Sequence, residues 1–291
     1  MAICGILFLY SADGSKLLIE LYLTDEPHII KVSIIGDTGE LQKILNSGVD
    51  ANTQNANMWT SLHFAAFRGK IEIAKMLLEN KADVNLRNHR KWTPLHWAAS
   101  NGHLDMVRLL VEHGAEINAR TEDGSTPLHW ATFEGHIGIV AYLIEKNANI
   151  NAENRSGSTP LDLAATEGRV EISILLLKNG ADVEGGKKDI WNNQKMARRL
   201  KAKIGDIATP LYHAAATGHL EITRLLLENK ADVNARGRYM RTPLHAAALH
   251  GYADIVCLLL KNKADANAIT INNETVYSIA KSDEIRKLLK K

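Results

Sequence analysis

The sequence predicts an all-α solenoid of stacked helix-turn-helix units with protruding hairpin-like loops. Three observations carry this prediction: a recurring threonine motif, glycines in a fixed phase, and apolar residues at helical spacing. The motif begins at Thr60, Thr93, Thr126, Thr159, Thr209 and Thr242, in steps of 33 residues apart from one step of 50. The glycines of the same phase are Gly69, Gly102, Gly135, Gly168, Gly218 and Gly251.

Each part of the repeat has a mechanical reason. Thr93 is suited to cap a helix, and Pro94 fits the first helical position because no N–H is needed there. Gly102 can adopt the left-handed conformation that ends this first helix. A second apolar run, residues 104–111, then recurs at helical spacing and closes at Gly114. One repeat is therefore a pair of helices followed by a loop.

Helices of eight to ten residues are marginal alone in water, because isolated helices below about 12 to 15 residues rarely persist. Stacking must therefore stabilise them. Paired alanines in the first helices allow close approach between units, and leucine rows in the second helices form a buried stripe. The alanine pairs are Ala65-Ala66, Ala98-Ala99, Ala164-Ala165, Ala214-Ala215 and Ala247-Ala248.

The repeat phase also assigns the ends of the chain. One step of 33 residues back from Gly69 reaches Gly36, so we expect a degenerate leading unit at residues 27–59. One step of 33 residues beyond Thr242 reaches Thr275, where we expect a capping unit. We number the units in chain order, with 27–59 as the first. The predicted divisions are an N-terminal extension at 1–26, the leading unit at 27–59, repeats at 60–183, an insertion at 184–208, and repeats with the cap at 209–291.

The N-terminal extension contains the apolar run from Ala2 to Tyr10. No lysine or arginine precedes it and no Ala-x-Ala cleavage pattern follows it, which argues against a secretory signal. We expect a strand or helix packed on the end of the fold. A cleaved signal and a start codon placed too far upstream stay open as alternatives.

The insertion is the most basic part of the chain. Its seven lysine and arginine residues are balanced by only three acidic residues, Glu184, Asp189 and Asp206. Trp191 adds an aromatic side chain. We expect a solvated loop or helix; the alternatives are a docking element for an acidic partner, or a nucleic-acid or anionic-membrane contact through residues 187–203. The cations are Lys187, Lys188, Lys195, Arg198, Arg199, Lys201 and Lys203.

Composition limits the class of protein. The 291 residues are 45% hydrophobic and 23% charged, with a formal net charge of +2, so a soluble globular protein is expected and nucleic acid is an unlikely general partner. Cys4 and Cys257 are too few for a disulfide framework, which indicates a reducing compartment. No window reaches the roughly 18 apolar residues of a membrane helix.

These motifs resemble the ankyrin repeat. The resemblance rests on the run Thr93-Pro94-Leu95-His96-Trp97-Ala98-Ala99, on Gly102-His103 and on Ala82-Asp83-Val84-Asn85, and it covers about residues 27 to 291. It implies helix pairs and hairpin-like loops in an L-shaped section, and a concave face that binds protein partners. It also implies that the motif histidines tie neighbouring loops together by hydrogen bonds.

The resemblance implies one modification as well. Asparaginyl hydroxylases act on the asparagine that closes ankyrin units, which corresponds to Asn85, Asn118, Asn151, Asn234 and Asn267 here. Structural capping of the loop explains the same residues without any enzyme, and we regard it as the better interpretation.

A search for catalytic or metal-binding patterns finds none. His63, His96, His129 and His245 share the motif position, and a residue repeated in every layer is structural, since catalysis needs one constellation. The other histidines offer no ligand spacing with cysteine or a third histidine. The sequence contains no HExxH, GxSxG, Walker or dinucleotide-binding motif. We therefore predict no enzyme, no cofactor and no metal.

Function is expected at positions that the repeat leaves variable, namely the loop tips and the two residues before each helix-ending glycine. Large aromatic residues and arginine are enriched in binding hot spots. Trp59 and Trp92 are the strongest candidates, expected side by side on adjacent loops, although they could instead brace loop against loop. Phe64, Trp97 and Trp130 are assigned to internal packing. The full candidate set is Trp59, Phe67, Arg68, His89, Arg90, Trp92, Phe133, Glu134, Arg238, Tyr239, Arg241, Leu249 and His250.

The expected function is thus a non-catalytic scaffold, monomeric and cytoplasmic, either in its own cell or in a host cell reached from an intracellular microbe. Its partner is a protein of unspecified identity.

Several units depart from the pattern. Lysine or asparagine replaces the glycine after four second helices, at Lys81, Asn147, Lys230 and Lys263. Asp162 and Tyr212 replace the motif histidine, and Glu184 replaces the closing asparagine beside the insertion. We expect the junction between the units that begin at Thr159 and Thr209 to be the weakest in the array.

Overall fold

The computed structural model describes residues 26–186 and 208–290. Within these residues the chain forms eight helix pairs. The first four pairs are α1 His28–Ile35 and α2 Thr38–Asn46, α3 Ser61–Arg68 and α4 Ile71–Glu79, α5 Pro94–Ser100 and α6 Leu104–Glu112, and α7 Pro127–Glu134 and α8 Ile137–Glu145. The last four are α9 Pro160–Thr166 and α10 Val170–Lys178, α11 Pro210–Thr217 and α12 Leu220–Glu228, α13 Pro243–His250 and α14 Ala253–Lys261, and α15 Val276–Ile279 and α16 Asp283–Leu288.

The threonine motif starts the first helices as expected. The amide of His245 donates to the Thr242 hydroxyl at 3.4 Å, and the amide of Thr242 donates back to the His245 ring nitrogen Nδ1 at 3.3 Å. This reciprocal pair satisfies two backbone donors at the helix start. The helix then ends at Gly251, whose φ of +93° lies in the left-handed region that favours glycine.

Non-glycine residues hold the same left-handed conformation after four of the second helices. Lys81, Asn147, Lys230 and Lys263 have φ between +63° and +67°. The replacements therefore keep the left-handed backbone of Gly114 and Gly180, whose φ values are +85° and +88°. Each lysine costs on the order of 1 kcal/mol of stability relative to glycine.

The core is a continuous stripe that runs through the stack. The alanine pairs of the first helices are buried, which brings α3, α5 and α7 into direct contact. Leucine and isoleucine side chains of the second helices, such as Leu77 and Leu110, fill the layer behind them. No unit buries its own apolar face, so burial against a neighbour supplies the hydrophobic stabilisation, about 25 cal/mol per Å². The predicted all-α solenoid is confirmed.

The loops between units are hairpin-like turns that touch one another. In the third unit's loop the amide of Thr121 donates to the Ser125 carbonyl at 3.0 Å and closes the turn. The amide of Glu122 donates to the Arg90 carbonyl of the preceding loop at 2.8 Å. The described residues contain no β-strand, only an isolated bridge between Ile269 and Thr275. The loops therefore form a row of turns joined by main-chain bonds.

The predicted N-terminal extension lies outside the described residues except for Glu26, and so does the insertion between residues 187 and 207, including Trp191. The units on either side of the insertion nevertheless stack directly, since α9 contacts α11. The ring nitrogen Nε2 of His219 lies 3.0 Å from the Thr166 carbonyl across this junction. The predicted weakness of the junction stays a prediction.

Candidate protein-binding surface

Three of the motif histidines, His63, His96 and His129, tie one loop to the next, whereas Nε2 of His245 has no hydrogen-bond partner among the described residues. In His63, Nδ1 accepts a hydrogen bond from the Thr60 amide at 3.2 Å, so the imidazole is neutral and its Nε2–H donates to the Trp92 carbonyl at 3.1 Å. His129 makes the same bond to Ser158, at 3.1 Å. Burial lowers the pKa of His63 to about 4 and the pKa of His96 to about 3. These rings therefore remain neutral structural links at physiological pH.

A second set of links holds the ends of the first helices. Nε2 of His103 lies 3.0 Å from the Phe67 carbonyl, and Nε2 of His136 lies 3.0 Å from the Ser100 carbonyl. The ring of His103 also packs so close to Gly69 that a Cβ there would lie 2.7 Å from Nδ1. Gly69 is needed both for this close approach and for its positive φ. The contact fixes the end of the first helix, where Phe67 lies.

Side chains of the closing asparagines form a ladder between units. The Asn85 side chain donates to the Gly114 carbonyl at 3.1 Å and accepts from the Glu116 amide at 2.8 Å. The corresponding hydrogen bonds run from the amides of Asn149, Asp182 and Asp265 to the side-chain oxygens of Asn118, Asn151 and Asn234, respectively. Loop capping is thus observed, and hydroxylation of these asparagines and of Asn267 remains a prediction.

Glu184 takes the place of asparagine in this ladder beside the insertion. Its Oε1 accepts from the Asp232 amide at 2.7 Å. An ionised carboxylate has no N–H, so it cannot make the donor half of the asparagine link.

Aromatic rings connect the loop bases of the second, third and fourth units. The ring of Trp97 lies 4.7 Å from Trp59 and 4.2 Å from Trp92, centroid to centroid. Trp59 also contacts Phe64 at 4.7 Å, and Trp92 contacts Trp130 at 4.6 Å. We call these five side chains the aromatic chain. Offset and tilted ring pairs of this kind contribute about 0.5 to 1.5 kcal/mol each beyond their buried area.

This arrangement corrects the expectation for Trp59 and Trp92. They are not side by side, because the ring of Trp97 contacts both of them. Trp59 is only 3% exposed, so the structure favours its alternative role of bracing the loops. Trp92 is half-buried and keeps part of its ring on the surface.

The aromatic chain reaches the groove through residues at the ends of the first helices. Phe67 meets Trp97 edge-on at 5.4 Å, and Phe133 meets Trp130 edge-on at 6.2 Å. Phe133 is 36% exposed. Trp97 and Trp130, assigned to internal packing, are half-buried and form part of the same surface. The sequence showed that both residues follow the motif histidine directly. It did not show that they remain partly exposed on the concave face.

The remaining candidates occupy three places. His89 and Arg90 are exposed at the second unit's loop tip. Glu134 is exposed and Arg68 half-buried at the ends of first helices. Around the seventh unit, Tyr239, Arg241 and Leu249 are half-buried and His250 is exposed, while Arg238 begins a short 3-10 turn. Arg241 pairs with Glu274 at 3.3 Å, which occupies its guanidinium within the array.

Asp162 stands where other units have the motif histidine. It is 2% exposed, and its Oδ2 accepts from the amide and the hydroxyl of Thr159, each at 2.8 Å. Burial raises its pKa to about 7, against the opposing effect of the Thr159 and Gly186 amides. Gly185 packs on the carboxyl so closely that a Cβ would lie 2.7 Å from Oδ1. The carboxyl is thus enclosed on this side by the backbone of the next loop.

The described residues contain no group of three or more histidine, cysteine or acidic side chains arranged to hold a metal ion. None of their helices is both long enough and apolar enough to cross a membrane.

Comparison with known proteins identifies the repeat. A family model described as "Ankyrin repeats (3 copies)" matches residues 30–121, 117–185 and 190–270. The crystal structure of the human ASB11 ankyrin repeat domain is similar, with a TM-score of 0.66 and 27% identity over 79% of this chain and 96% of that one.

The curated relatives match over a shorter stretch. Ankyrin repeat domain-containing protein 40 of mouse and of human are each 43% identical over 51 residues, which is 17% of this chain and 14% of each relative. This chain thus spans about a seventh of those proteins. Ankyrin repeats are in general protein–protein interaction modules and are typically not enzymes. Since the family model covers most of the chain, the protein belongs to the ankyrin repeat family.

Proposed function

We propose that the chain is a non-catalytic scaffold that binds a protein partner on its concave face, formed by the loop tips and the ends of the first helices. The observation that carries this proposal is the half-exposed aromatic surface of Phe67, Trp92, Trp97, Trp130 and Phe133. Aromatic residues held rigidly beside a polar rim are typical of binding hot spots, because little side-chain entropy is lost on association.

Hydrogen bonds between units support the proposal, since they fix this surface before any partner arrives. His103 and His136 hold the Phe67 and Ser100 carbonyls, and the ring contacts fix the indoles. Preorganisation of this kind lowers the cost of binding.

The test is affinity capture from lysate with quantitative mass spectrometry, using wild type and a Phe67→Ala/Phe133→Ala variant. We expect captured partners to fall by at least tenfold, because each hot-spot truncation costs roughly 2 kcal/mol, which is about thirtyfold in affinity. Tyr142→Ala on second helix α8 is the matched control and should leave the captured set unchanged. An unchanged set with the double variant would contradict a concave binding site.

The proposal includes a monomeric state and a cytoplasmic location. The expected molar mass in solution is that of one 32.1 kDa chain, measured by light scattering after size exclusion. A mass of two chains would contradict the monomer, and fractionation of cells that express the tagged chain checks the compartment.

A further inference from the structure

The turn between α7 and α8 in the fourth unit exposes two large apolar side chains. Phe133 is 36% exposed and Ile137 is 46% exposed. The corresponding pair in the second unit, Phe67 and Ile71, is half-buried. The third, fifth and sixth units have Ser100, Thr166 and Ala216 at the phenylalanine position, and Ile137's counterparts there are half-buried. We call Phe133 and Ile137 the apolar knob.

The apolar knob is held in place by the fifth unit. The Arg169 guanidinium donates two hydrogen bonds to the Phe133 carbonyl, at 3.0 and 3.2 Å. The Trp130 ring packs edge-on against Phe133 from inside the array. A fixed, exposed apolar pair on an otherwise regular rim is the kind of feature that a binding partner covers.

The rim around the apolar knob is acidic. It carries four exposed carboxylates, and none of them forms an ion pair with any described residue. Two guanidinium groups lie near them: that of Arg169, and that of Arg108, three residues after Asp105 on α6, which lies 5.4 Å from the Tyr142 ring centroid. The four carboxylates are Asp105, Glu134, Glu167 and Glu171.

On the opposite edge of the groove, the second unit's loop tip exposes the cations Arg90 and Lys91 beside His89, and the next loop tip exposes the carboxylates of Glu122 and Asp123. The loop edge therefore changes sign from one loop to the next, whereas the turn edge at the apolar knob is acidic. Complementary charge favours encounter in one orientation and disfavours the other.

We propose that the partner segment carries an apolar side chain that covers the apolar knob, flanked by lysine or arginine residues that pair with Glu134 and Glu167. This inference rests on the proposed function and specifies the chemistry of its partner: a basic, apolar stretch of a protein. Nucleic acid is disfavoured at this rim, because its phosphates would meet the carboxylates.

The test uses short random peptides displayed on phage and selected against the full chain. We expect the selected sequences to carry net positive charge around a leucine, methionine or aromatic residue. Synthetic versions should bind in fluorescence anisotropy with an affinity that falls between about 50 mM and about 0.5 M salt, because exposed charge pairs are screened.

Variants locate the site. Glu134→Lys/Glu167→Lys and Phe133→Ser should each weaken binding of the selected peptides by about tenfold. Glu79→Lys/Glu112→Lys makes the same charge change at the ends of α4 and α6 and should change affinity less than about twofold. Circular dichroism of each variant checks that the array is folded.

The outcomes separate this inference from the proposed function. Acidic or uncharged peptides that depend on Phe133 but not on Glu134 and Glu167 would overturn the inference and leave concave-face binding intact. Selection of no peptide, or only of peptides insensitive to every rim variant, would count against both.

Discussion

The junctions among the second, third and fourth units and the junction across the insertion share one set of links and differ in another. On the helix side both use a histidine that follows a glycine, His136 to the Ser100 carbonyl and His219 to the Thr166 carbonyl, each at 3.0 Å. On the loop side the regular junctions have a neutral histidine and tilted indole pairs that cross from unit to unit. The interrupted junction has Asp162 in place of the histidine, and its ring contact joins Tyr212 and His213 within the sixth unit, at 6.2 Å.

The difference shows that stacking of the helices does not depend on continuity of the loops. Helix-side bonds and alanine packing persist where the loop is expanded, as the contact between α9 and α11 shows. Loop-side links can then diverge in chemistry, from imidazole to carboxylate and from indole to small side chains. Four measurements test this contrast between the two kinds of junction.

The largest effect is expected for Trp97→Ala. This substitution removes a ring that contacts Trp59, Phe67 and Trp92, so the free energy of unfolding should fall by about 4 kcal/mol. Urea denaturation followed by tryptophan fluorescence and circular dichroism measures it. The matched control is Leu163→Ala, the same position in the fifth unit, expected to cost about 2 kcal/mol. Equal costs would show that the rings add nothing to the regular junctions.

Asp162 should make the interrupted junction less stable as pH rises. Its pKa is raised to about 7 in the folded chain from an ordinary value of 3.8, so the folded state keeps a proton that the unfolded state loses between these values. Between about pH 5 and about pH 8 this group should reduce the free energy of unfolding by on the order of 3 kcal/mol. Asp162→Asn should remove that component, measured as the difference between the two urea midpoints. Identical pH dependence of wild type and variant would contradict it, and Asp105→Asn serves as the exposed control.

The motif histidines should give the free energy of unfolding a pH dependence of the opposite sign. Burial lowers the pKa of His96 to about 3 from 6.5, so only the unfolded state gains a proton as the pH falls below about 6.5. Acidification from about pH 7 to about pH 5 should cost about 2 kcal/mol at this residue. His96→Asn should be less stable than wild type at pH 7 but lose less on acidification. A steeper acid loss in the variant would exclude the assigned role.

The smallest effect is expected at Glu184. Glu184→Asn should restore the donor half of the ladder, toward the Lys230 carbonyl, and raise the free energy of unfolding by about 1 kcal/mol. The reciprocal change, Asn85→Glu in a regular junction, should lower it by a similar amount, because Asn85 makes both halves of the link. Thermal unfolding of both variants measures the pair. A loss of stability in Glu184→Asn would mean that the carboxylate is required there.

The repeat, the helix starts and the helix ends could all be read from sequence, because Thr93, Pro94 and Gly102 act through local backbone geometry. The left-handed backbone at Lys81 was predictable for the same reason: the phase of the repeat demands it whatever residue is present.

The surface was less predictable, because exposure depends on neighbouring units. Trp59 and Trp92 share a phase, yet Trp59 is buried and Trp92 is half-buried, since each ring meets different neighbours. The exposure of Ile137 likewise follows from its neighbours and not from its own type. Spacing fixes where a residue lies in its unit, whereas side-chain packing across units decides what it shows to solvent.

The side-chain links between units join residues about one repeat apart, separated by 29 to 36 positions in the regular junctions. Within residues 26–186 and 208–290 no bond of this kind spans the array from end to end, so tension applied to its two ends is carried through each junction in turn. Mechanical rupture would then proceed by detachment of single units from one end, each releasing about 110 Å of extended chain. Such a molecule yields in steps under load and can recover its length by restacking, in the manner of an extensible tether.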